Sequence, residues 1–218
     1  MKEEVLKFLG CQAETSVNEY TNELIDKAID EIRALSDFKY VYGHFDRVQD
    51  FMNENSSYRA YLSDSTEYLL CATTLGIAVD RRLKRLQVED MARAVVFDAV
   101  ANVYLEHLAD EFERTLDFPS LGFRFCPGYG GTAISDNRKI AELIHAERIG
   151  ITFLDSGLML PLKSMVGIVK IGSRTHKTCG DCVAAASCAY RKRGVTCYSV
   201  ESVGRGGCRQ TKDLNSTK

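Results

Sequence analysis

Apolar residues recur at helical spacing in two long parts of the chain. After Ser16, which forms a capping-box pattern with Glu19, apolar positions 17, 20, 24, 28, 32 and 35 share one face of a predicted helix ending near Ser36. Between residues 89 and 116 the periodicity returns without glycine or proline, which permits one helix about 40 Å long. The charged run Asp80–Arg82 is expected to be the solvated, ion-paired start of another helix.

Shorter apolar and β-branched runs predict the strands. They are Phe38–Tyr42, Glu67–Thr74, Gly122–Cys126, Ile151–Leu154 and Ser164–Ile171. A helix capped by Ser135 is expected between the third and fourth of these runs. Past Gly172 the apolar periodicity stops. The pattern therefore predicts a mixed α+β domain over residues 1–172 and a tail over residues 173–218.

The composition is typical of a soluble globular protein, with 45% hydrophobic and 27% charged residues among 218. The apolar stretches stop well short of the ~20 residues that a bilayer span needs. Met1–Glu4 leads into a mixed sequence rather than an apolar signal region. We therefore expect a cytoplasmic protein without a membrane partner.

The charge is distributed unevenly along the chain. From Lys170 to Lys218, ten Lys or Arg residues stand against three Asp or Glu residues, so this end carries +7 and the remainder −9, for a net charge of −2. A basic tail could attract nucleic acid, but few aromatic residues interleave with its charges for base stacking. We therefore expect a solvated segment or a docking surface for an acidic protein, and no nucleic-acid partner.

The segment GFRFCPGYGG, from Gly122 to Gly131, carries the first candidate chemistry. The predicted strand ends at Pro127 and Gly128, where the chain must turn and a ligand can approach the backbone closely. Arg124 presents a planar fork that suits a carboxylate or phosphate, and Tyr129 offers an aromatic face and a hydroxyl. These residues fit a small ligand with an anionic end and a flat end. An ordinary turn with an ion-paired arginine and a packed tyrosine fits them as well.

The same segment resembles the activation, or reactivation, domain of cobalamin-dependent methionine synthase. That family has Arg-x-x-x-Gly-Tyr within Gly-x-Arg-x-x-Pro-Gly-Tyr, which is matched from Gly122 to Tyr129. The likeness continues through Lys139–Ile144, Ile151–Ser156, Met159–Pro161 and Ser164–Gly167, and upstream through Thr73–Asp80 and Asp98–Ala101. The resemblance implies an α+β fold, with helices packed on a mostly antiparallel sheet.

The resemblance also implies a function. In this family the domain binds S-adenosylmethionine and docks over the corrinoid of a methyltransferase. When the cob(I) state is oxidised to cob(II), an electron from flavodoxin or a similar donor and a methyl group from S-adenosylmethionine restore methylcobalamin. Arg124 would then bind the ligand carboxylate, while Pro127, Gly128 and Tyr129 would shape the pocket. The implied partners are a corrinoid-binding methyltransferase and an electron donor such as flavodoxin or ferredoxin.

The chain lacks some features of that family. Its full-length members hold a tyrosine pair in a strand beyond the stretch similar to residues 167–173, and an acidic residue near the N-terminus, and neither has a counterpart here. The corrinoid motif Asp-x-His-x-x-Gly does not occur in the sequence. The corrinoid is therefore expected on the partner, and the chain is expected to be an accessory rather than an enzyme acting alone.

A cluster of cysteines is the second candidate chemistry. Five of the eight cysteines lie near the end of the chain, at 179, 182, 188, 197 and 208. The spacing Cys179-x2-Cys182 lets two thiolates converge on one metal, and Cys188 and Cys197 can complete four-coordination. An iron–sulfur cluster serving as electron inlet, a zinc ion and a tail of free thiols are the three alternatives. The rival function is a metal-binding interaction module whose ligand pocket is non-functional.

Overall fold

The computed structural model describes residues 1–11, 18–65 and 67–172, together with Lys192. The α-helices within these residues are α1 (Lys2–Phe8), α2 (Glu19–Leu35), α3 (Asp50–Asn53), α4 (Ser56–Tyr61), α5 (Ile77–Glu89), α6 (Met91–Arg114) and α7 (Asp136–Leu143), and a 3₁₀ helix spans Ala146–Ile149. The strands are β1 (Lys39–Phe45), β2 (Tyr68–Thr74), β3 (Leu121–Phe125), β4 (Thr152–Phe153), β5 (Met159–Leu160) and β6 (Ser164–Ile171). The predicted domain boundary at residue 172 remains a prediction.

Four strands form one antiparallel sheet in the order β1-β2-β6-β3. The central strands β2 and β6 are almost entirely buried, which explains their continuous apolar sequences. Strand β3 lies at an edge, where Arg124 pairs with Val169 and the register shifts between Leu121 and Arg124. Strands β4 and β5 form a separate two-stranded sheet.

Side chains alternate along each strand between the two faces of the four-stranded sheet. Both faces are covered by other parts of the chain. One face packs against α3, α4 and α7 and carries a core that includes Tyr58, Tyr68, Leu70, Val166 and Ile168. The opposite face carries Leu69, Cys71, Val169 and Ile171, with Tyr40 and Leu116 packed against them. The end of α6 reaches this second face, where Phe112 stacks on Tyr40 with ring centroids 4.3 Å apart.

Helices α1, α2, α5 and α6 form a further core centred on Ile25, Ile32, Leu86, Phe97 and Val100. The two long predicted helices are confirmed as α2 and α6. The N-cap of α2 is Asn18 rather than Ser16, and its Oδ1 accepts a hydrogen bond from the Thr21 amide at 2.8 Å. None of the described helices combines the length and apolar character needed to cross a bilayer.

The expectation that Asp80 is solvated is wrong. Asp80 lies in the first turn of α5 but is 2% exposed, and its carboxylate accepts hydrogen bonds from the backbone amides of Leu162 and Lys163. Charge-assisted bonds to two amides offset the desolvation of the buried carboxylate.

Arg82 does form the expected ion pairs, with Glu31 and with Glu89. Ser135 precedes α7 as predicted, but its side chain makes no capping hydrogen bond.

Candidate ligand site around Arg124

Strand β3 directs alternate side chains into two different environments. Phe123 and Phe125 pack edge-on against Tyr61 and Tyr58, in the core beneath α4. Arg124 lies on the opposite face, where it passes over Gly167 of the neighbouring strand. A Cβ atom at Gly167 would lie 2.5 Å from Arg124 Cγ, closer than any real contact. Gly167 is therefore the residue that leaves room for the arginine.

The guanidinium of Arg124 meets three carboxylates of α6. Its Nη2 atom is 2.7 Å from Asp110 Oδ1 and 2.9 Å from Glu106 Oε2, and its Nη1 atom donates to Glu113. Positions 106, 110 and 113 fall on one face of the helix because their spacing follows the helical repeat. The Arg124 side chain is 3% exposed, whereas those of Glu106 and Asp110 are 41% and 53% exposed. We call these four residues the Arg124 cluster.

Glu113 occupies the buried end of the Arg124 cluster. Its carboxylate accepts hydrogen bonds from Arg124 on edge strand β3 and from the Tyr40 hydroxyl on the other edge strand, the latter at 2.9 Å. Burial raises the pKa of Glu113, and Arg124 and Tyr40 act in the opposite direction. For Arg124, burial lowers the pKa, but the carboxylates outweigh it and hold the pKa well above its usual value. The guanidinium is therefore permanently charged.

Cys71 lies in the same dry region. Its thiol donates to the backbone oxygen of Gly167 at 3.4 Å, and these two residues face each other across β2 and β6. Burial raises the pKa of the Cys71 thiol to about 12. The pKa of Tyr40 is also raised, mainly by burial. The Cys71 thiol and the Tyr40 hydroxyl therefore stay protonated at neutral pH, and neither places a negative charge beside the Glu113 carboxylate.

The turn after β3 is held in a defined shape. Pro127 is buried and Gly128 has φ +95°, a conformation that favours glycine. The Thr132 hydroxyl accepts from the Gly128 amide at 3.0 Å and donates to the Tyr129 carbonyl at 2.7 Å. The side chains of Asn55 and Ser57 donate to the carbonyls of the next two glycines, 131 and 130. The predicted turn is therefore present, with the Tyr129 residue 57% exposed.

The predicted pocket residues thus lie in unlike surroundings. Arg124 is buried among carboxylates beneath α6, while Tyr129 is exposed at a turn five residues later. Two open clefts of 680 and 550 Å³ are lined by other residues, including Asp64 and Glu67 in the first and Arg138 and Asp155 in the second. A single ligand that touches both Arg124 and Tyr129 therefore remains a prediction.

The predicted metal ligands Cys179, Cys182, Cys188 and Cys197 lie outside the described residues, so the metal site also remains a prediction. Within residues 1–11, 18–65 and 67–172, no group of three or more His, Cys, Asp or Glu side chains is arranged to hold a metal ion. None of the cysteines of this part, Cys11, Cys71 and Cys126, forms a disulfide.

Comparison with known proteins identifies a structural neighbour. No protein-family model matches the sequence, and no curated protein matches it significantly. A solved structure, the MetH reactivation domain bound to AdoHcy, superposes with a TM-score of 0.52 and 16% sequence identity, over 88% of this chain and 77% of that chain. This chain has the reactivation-domain fold. The predicted fold class, helices packed on a mostly antiparallel sheet, is confirmed.

Within the reactivation-domain fold of this chain, Arg124 is indicated by its sequence motif, whereas its partners are not. Glu106, Asp110 and Glu113 belong to a helix that was predicted, and their spacing alone places them on one face. A row of acidic residues on a helix is usually a solvated surface, so the row carries no signal by itself. The useful signal is the combination of that row with Arg124, an arginine inside a predicted apolar strand.

Proposed function

We propose that this chain is a cytoplasmic accessory protein for the reductive reactivation of a corrinoid. The corrinoid would belong to a cobalamin-dependent methionine synthase or a related methyltransferase, with S-adenosylmethionine as methyl donor. The observation that carries the proposal is the Gly-x-Arg-x-x-Pro-Gly-Tyr segment at the end of β3, in a chain with the reactivation-domain fold. The neighbour's AdoHcy is the product that S-adenosylmethionine becomes after giving up its methyl group.

Arg124 would bind the ligand carboxylate by exchange of partners. Its Nη2 atom is shared by Glu106 and Asp110, whose side chains are about half exposed and can be rehydrated at little cost when displaced. Its Nη1 atom would stay with Glu113, which is buried. Pro127, Gly128 and Tyr129 would border the other end of the ligand, where an exposed ring can stack on a flat base.

The partners follow from the chemistry of remethylation. A corrinoid-binding methyltransferase would supply the methyl acceptor, and one electron from flavodoxin or ferredoxin would reduce it before the methyl transfer. The basic end of the chain, with a charge of +7 from Lys170 onward, would suit an acidic electron donor. Cys179, Cys182, Cys188 and Cys197 are our prediction for an iron–sulfur or zinc site in that tail.

Calorimetry with S-adenosylmethionine, with and without a corrinoid protein, tests the proposal. Arg124→Ala removes a charge-assisted pair and is expected to weaken binding by about 10–150-fold, which corresponds to 1.5–3 kcal/mol. Arg124→Lys keeps the charge but loses the planar fork, so it separates ligand recognition from folding. Arg85→Ala, an exposed arginine of α5, is the matched control. Unchanged affinity in both Arg124 variants would contradict the assignment.

One observation favours the rival function, a metal-binding interaction module with a non-functional pocket. Both terminal nitrogens of Arg124 are already paired with carboxylates of the chain itself. The same calorimetry separates the two functions, because the rival predicts no heat with S-adenosylmethionine in either the absence or the presence of the corrinoid protein.

A further inference from the structure

The four-stranded sheet ends in two edge strands that differ in regularity. Strand β3 has five residues, and its register against β6 shifts between Leu121 and Arg124. Strand β1 has seven residues, contains no proline and pairs with β2 without interruption from Lys39 to Phe45. A short or irregular edge strand discourages pairing with another chain, whereas a long and regular one is a template for it. Strand β1 is therefore the edge suited to a further strand.

The register of the sheet shows which backbone groups of β1 point outward. In an antiparallel pair, residues that exchange hydrogen bonds with the neighbouring strand alternate with residues that face away from it. The Leu75 amide donates to the Lys163 carbonyl at 2.9 Å, in register with the pairing of β2 and β6. The Lys170 amide, opposite Tyr68, instead donates to the Tyr61 hydroxyl at 3.0 Å, as the same alternation requires. The residues of β2 that bond to β1 are therefore 68, 70, 72 and 74. Their partners in β1 are 45, 43, 41 and 39.

The remaining residues of β1 are Tyr40, Tyr42 and His44, and their amide and carbonyl groups point away from β2. No strand lies on that side of β1 within residues 1–11, 18–65 and 67–172. The Tyr42 residue is 40% exposed and the His44 side chain is 46% exposed, so the edge is accessible from outside. Three consecutive outward positions on a regular strand provide the hydrogen-bonding groups that an added strand would use.

We propose that β1 pairs with β1 of a second copy of this chain, antiparallel and about a twofold axis at Tyr42. In this register Tyr42 lies opposite Tyr42 of the second copy, and Tyr40 lies opposite His44 on either side. Every outward amide then meets an outward carbonyl, and the facing aromatic side chains add to the stability of the pair. The pairing does not depend on the proposed function, because Arg124 lies on β3, at the opposite edge of the sheet.

The charges beside β1 favour a second copy as the occupant. An interface about a twofold axis must be self-complementary, because the same surface is present on both sides. The proposed register brings Asp37 of one copy opposite Arg47 of the other, and both residues are exposed. The Asp37 carboxylate pairs with Lys39 at 2.7 Å, and the Arg47 guanidinium forms no ion pair within the described part of the chain. Each end of β1 would therefore meet an end of opposite charge.

Sedimentation equilibrium of the full chain tests the pairing. The average mass is expected to rise from 24.4 kDa towards twice that value as the protein concentration increases. Tyr42→Lys places two like charges directly opposite each other, and so does Tyr42→Glu, so each variant is expected to raise the dissociation constant of the dimer at least about tenfold. An equal mixture of the two variants is expected to restore the dimer, because opposite charges then face each other. Tyr20→Lys, the same change at an exposed tyrosine of α2, is the matched control and is expected to dimerise like the unmodified chain.

Amide hydrogen exchange of the unmodified chain tests the same pairing without a substitution. The amides of Tyr40, Tyr42 and His44 are expected to exchange quickly in dilute protein and slowly at concentrations at which the dimer forms. The amides of Val41 and Gly43 bond to β2, so they are expected to exchange slowly at both concentrations. This measurement decides the question if the Tyr42 variants fail to fold, as judged by circular dichroism.

Three results would overturn the inference. The first is an unmodified chain that stays monomeric at every concentration. The second is a dimer that persists unchanged in both folded Tyr42 variants, which would place the interface elsewhere. The third is slow exchange of the outward amides of β1 in the monomer, which would show that another part of the same chain covers this edge. None of these results bears on the binding of S-adenosylmethionine, which the calorimetry above tests separately.

Discussion

Two buried cations anchor α6 to the sheet, and they are held in different ways. Lys163 donates to Asp98 at 2.7 Å and to Asn102 at 2.8 Å, so that its charge is met by one carboxylate and one neutral amide. Arg124 is met by three carboxylates. One cation paired with one carboxylate, a balanced pair, is enough to hold two elements together. The two sites therefore differ in the number of carboxylates that meet the cation, three at Arg124 and one at Lys163.

The surroundings of Lys163 support this contrast. A second carboxylate, that of Asp80, lies close to the same residue but accepts from the backbone amides of Leu162 and Lys163. Its charge is therefore used to hold the chain just before β6. In the Arg124 cluster the half-exposed carboxylates have Arg124 Nη2 as their shared partner. The carboxylates near Lys163 thus divide between a side chain and the backbone, whereas those of the Arg124 cluster all meet the guanidinium.

Removing Arg124 is expected to have the largest effect on stability. Arg124→Ala leaves the buried Glu113 carboxylate without its counter-ion, and we expect the free energy of unfolding to fall by about 3–5 kcal/mol. Urea unfolding measures this loss, with Arg85→Ala as the control for removing an exposed arginine. A loss below 1 kcal/mol would mean that Glu113 is not held by Arg124.

The loss in Arg124→Ala is also expected to depend on pH. Burial raises the folded-state pKa of Glu113 above the ordinary value of 4.5, and without Arg124 it rises further. A carboxyl whose pKa is raised by folding favours the folded state at pH below 4.5, and this contribution is lost as pH rises through the folded-state pKa. The destabilisation is therefore expected to be smaller in mildly acidic than in neutral buffer, and the opposite trend would contradict the role given to Glu113.

Crowding Arg124 is expected to have an intermediate effect. In Gly167→Ala the added Cβ would lie 2.5 Å from Arg124 Cγ, so the arginine must shift within its cluster. We expect a loss of about 1–3 kcal/mol in unfolding free energy, as for other overpacked cores. A double-mutant cycle checks the cause: in an Arg124→Ala background, the same Gly167→Ala change is expected to cost much less. Equal losses in both backgrounds would show that the strand, rather than the arginine, requires glycine.

The sequence predicted those elements whose pattern is carried by many residues close together in the chain. Strand β6 was predicted with its observed bounds, Ser164–Ile171, because its apolar and β-branched residues are adjacent in the chain. Helix α6 was predicted because many turns repeat one pattern. The short helices α1, α3 and α4 were not predicted, since one or two turns cannot establish a period.

The site depends on contacts that no local pattern contains. Arg124 was recognised from the motif around it, but its carboxylate partners lie 11 to 18 residues earlier in the chain. Asp80 was expected in solvent because it starts a charged run, and it is buried because the chain before β6 returns to it 82 residues later. The carboxylates of α6 meet Arg124 of β3, and Asp80 of α5 meets the chain before β6, only once the chain is folded, so the sequence could indicate the arginine but not its partners.

Breaking the balanced pair is expected to have the smallest effect. Lys163→Met keeps the length and apolar stem of the side chain and removes only the charge. The Asp98 carboxylate that it leaves behind is 45% exposed, so water can replace the lost partner, and we expect a loss of only about 1–2 kcal/mol. Urea unfolding beside Arg124→Ala measures the difference directly. If Lys163→Met proved as destabilising as Arg124→Ala, the number of carboxylates around the cation would not distinguish the two sites.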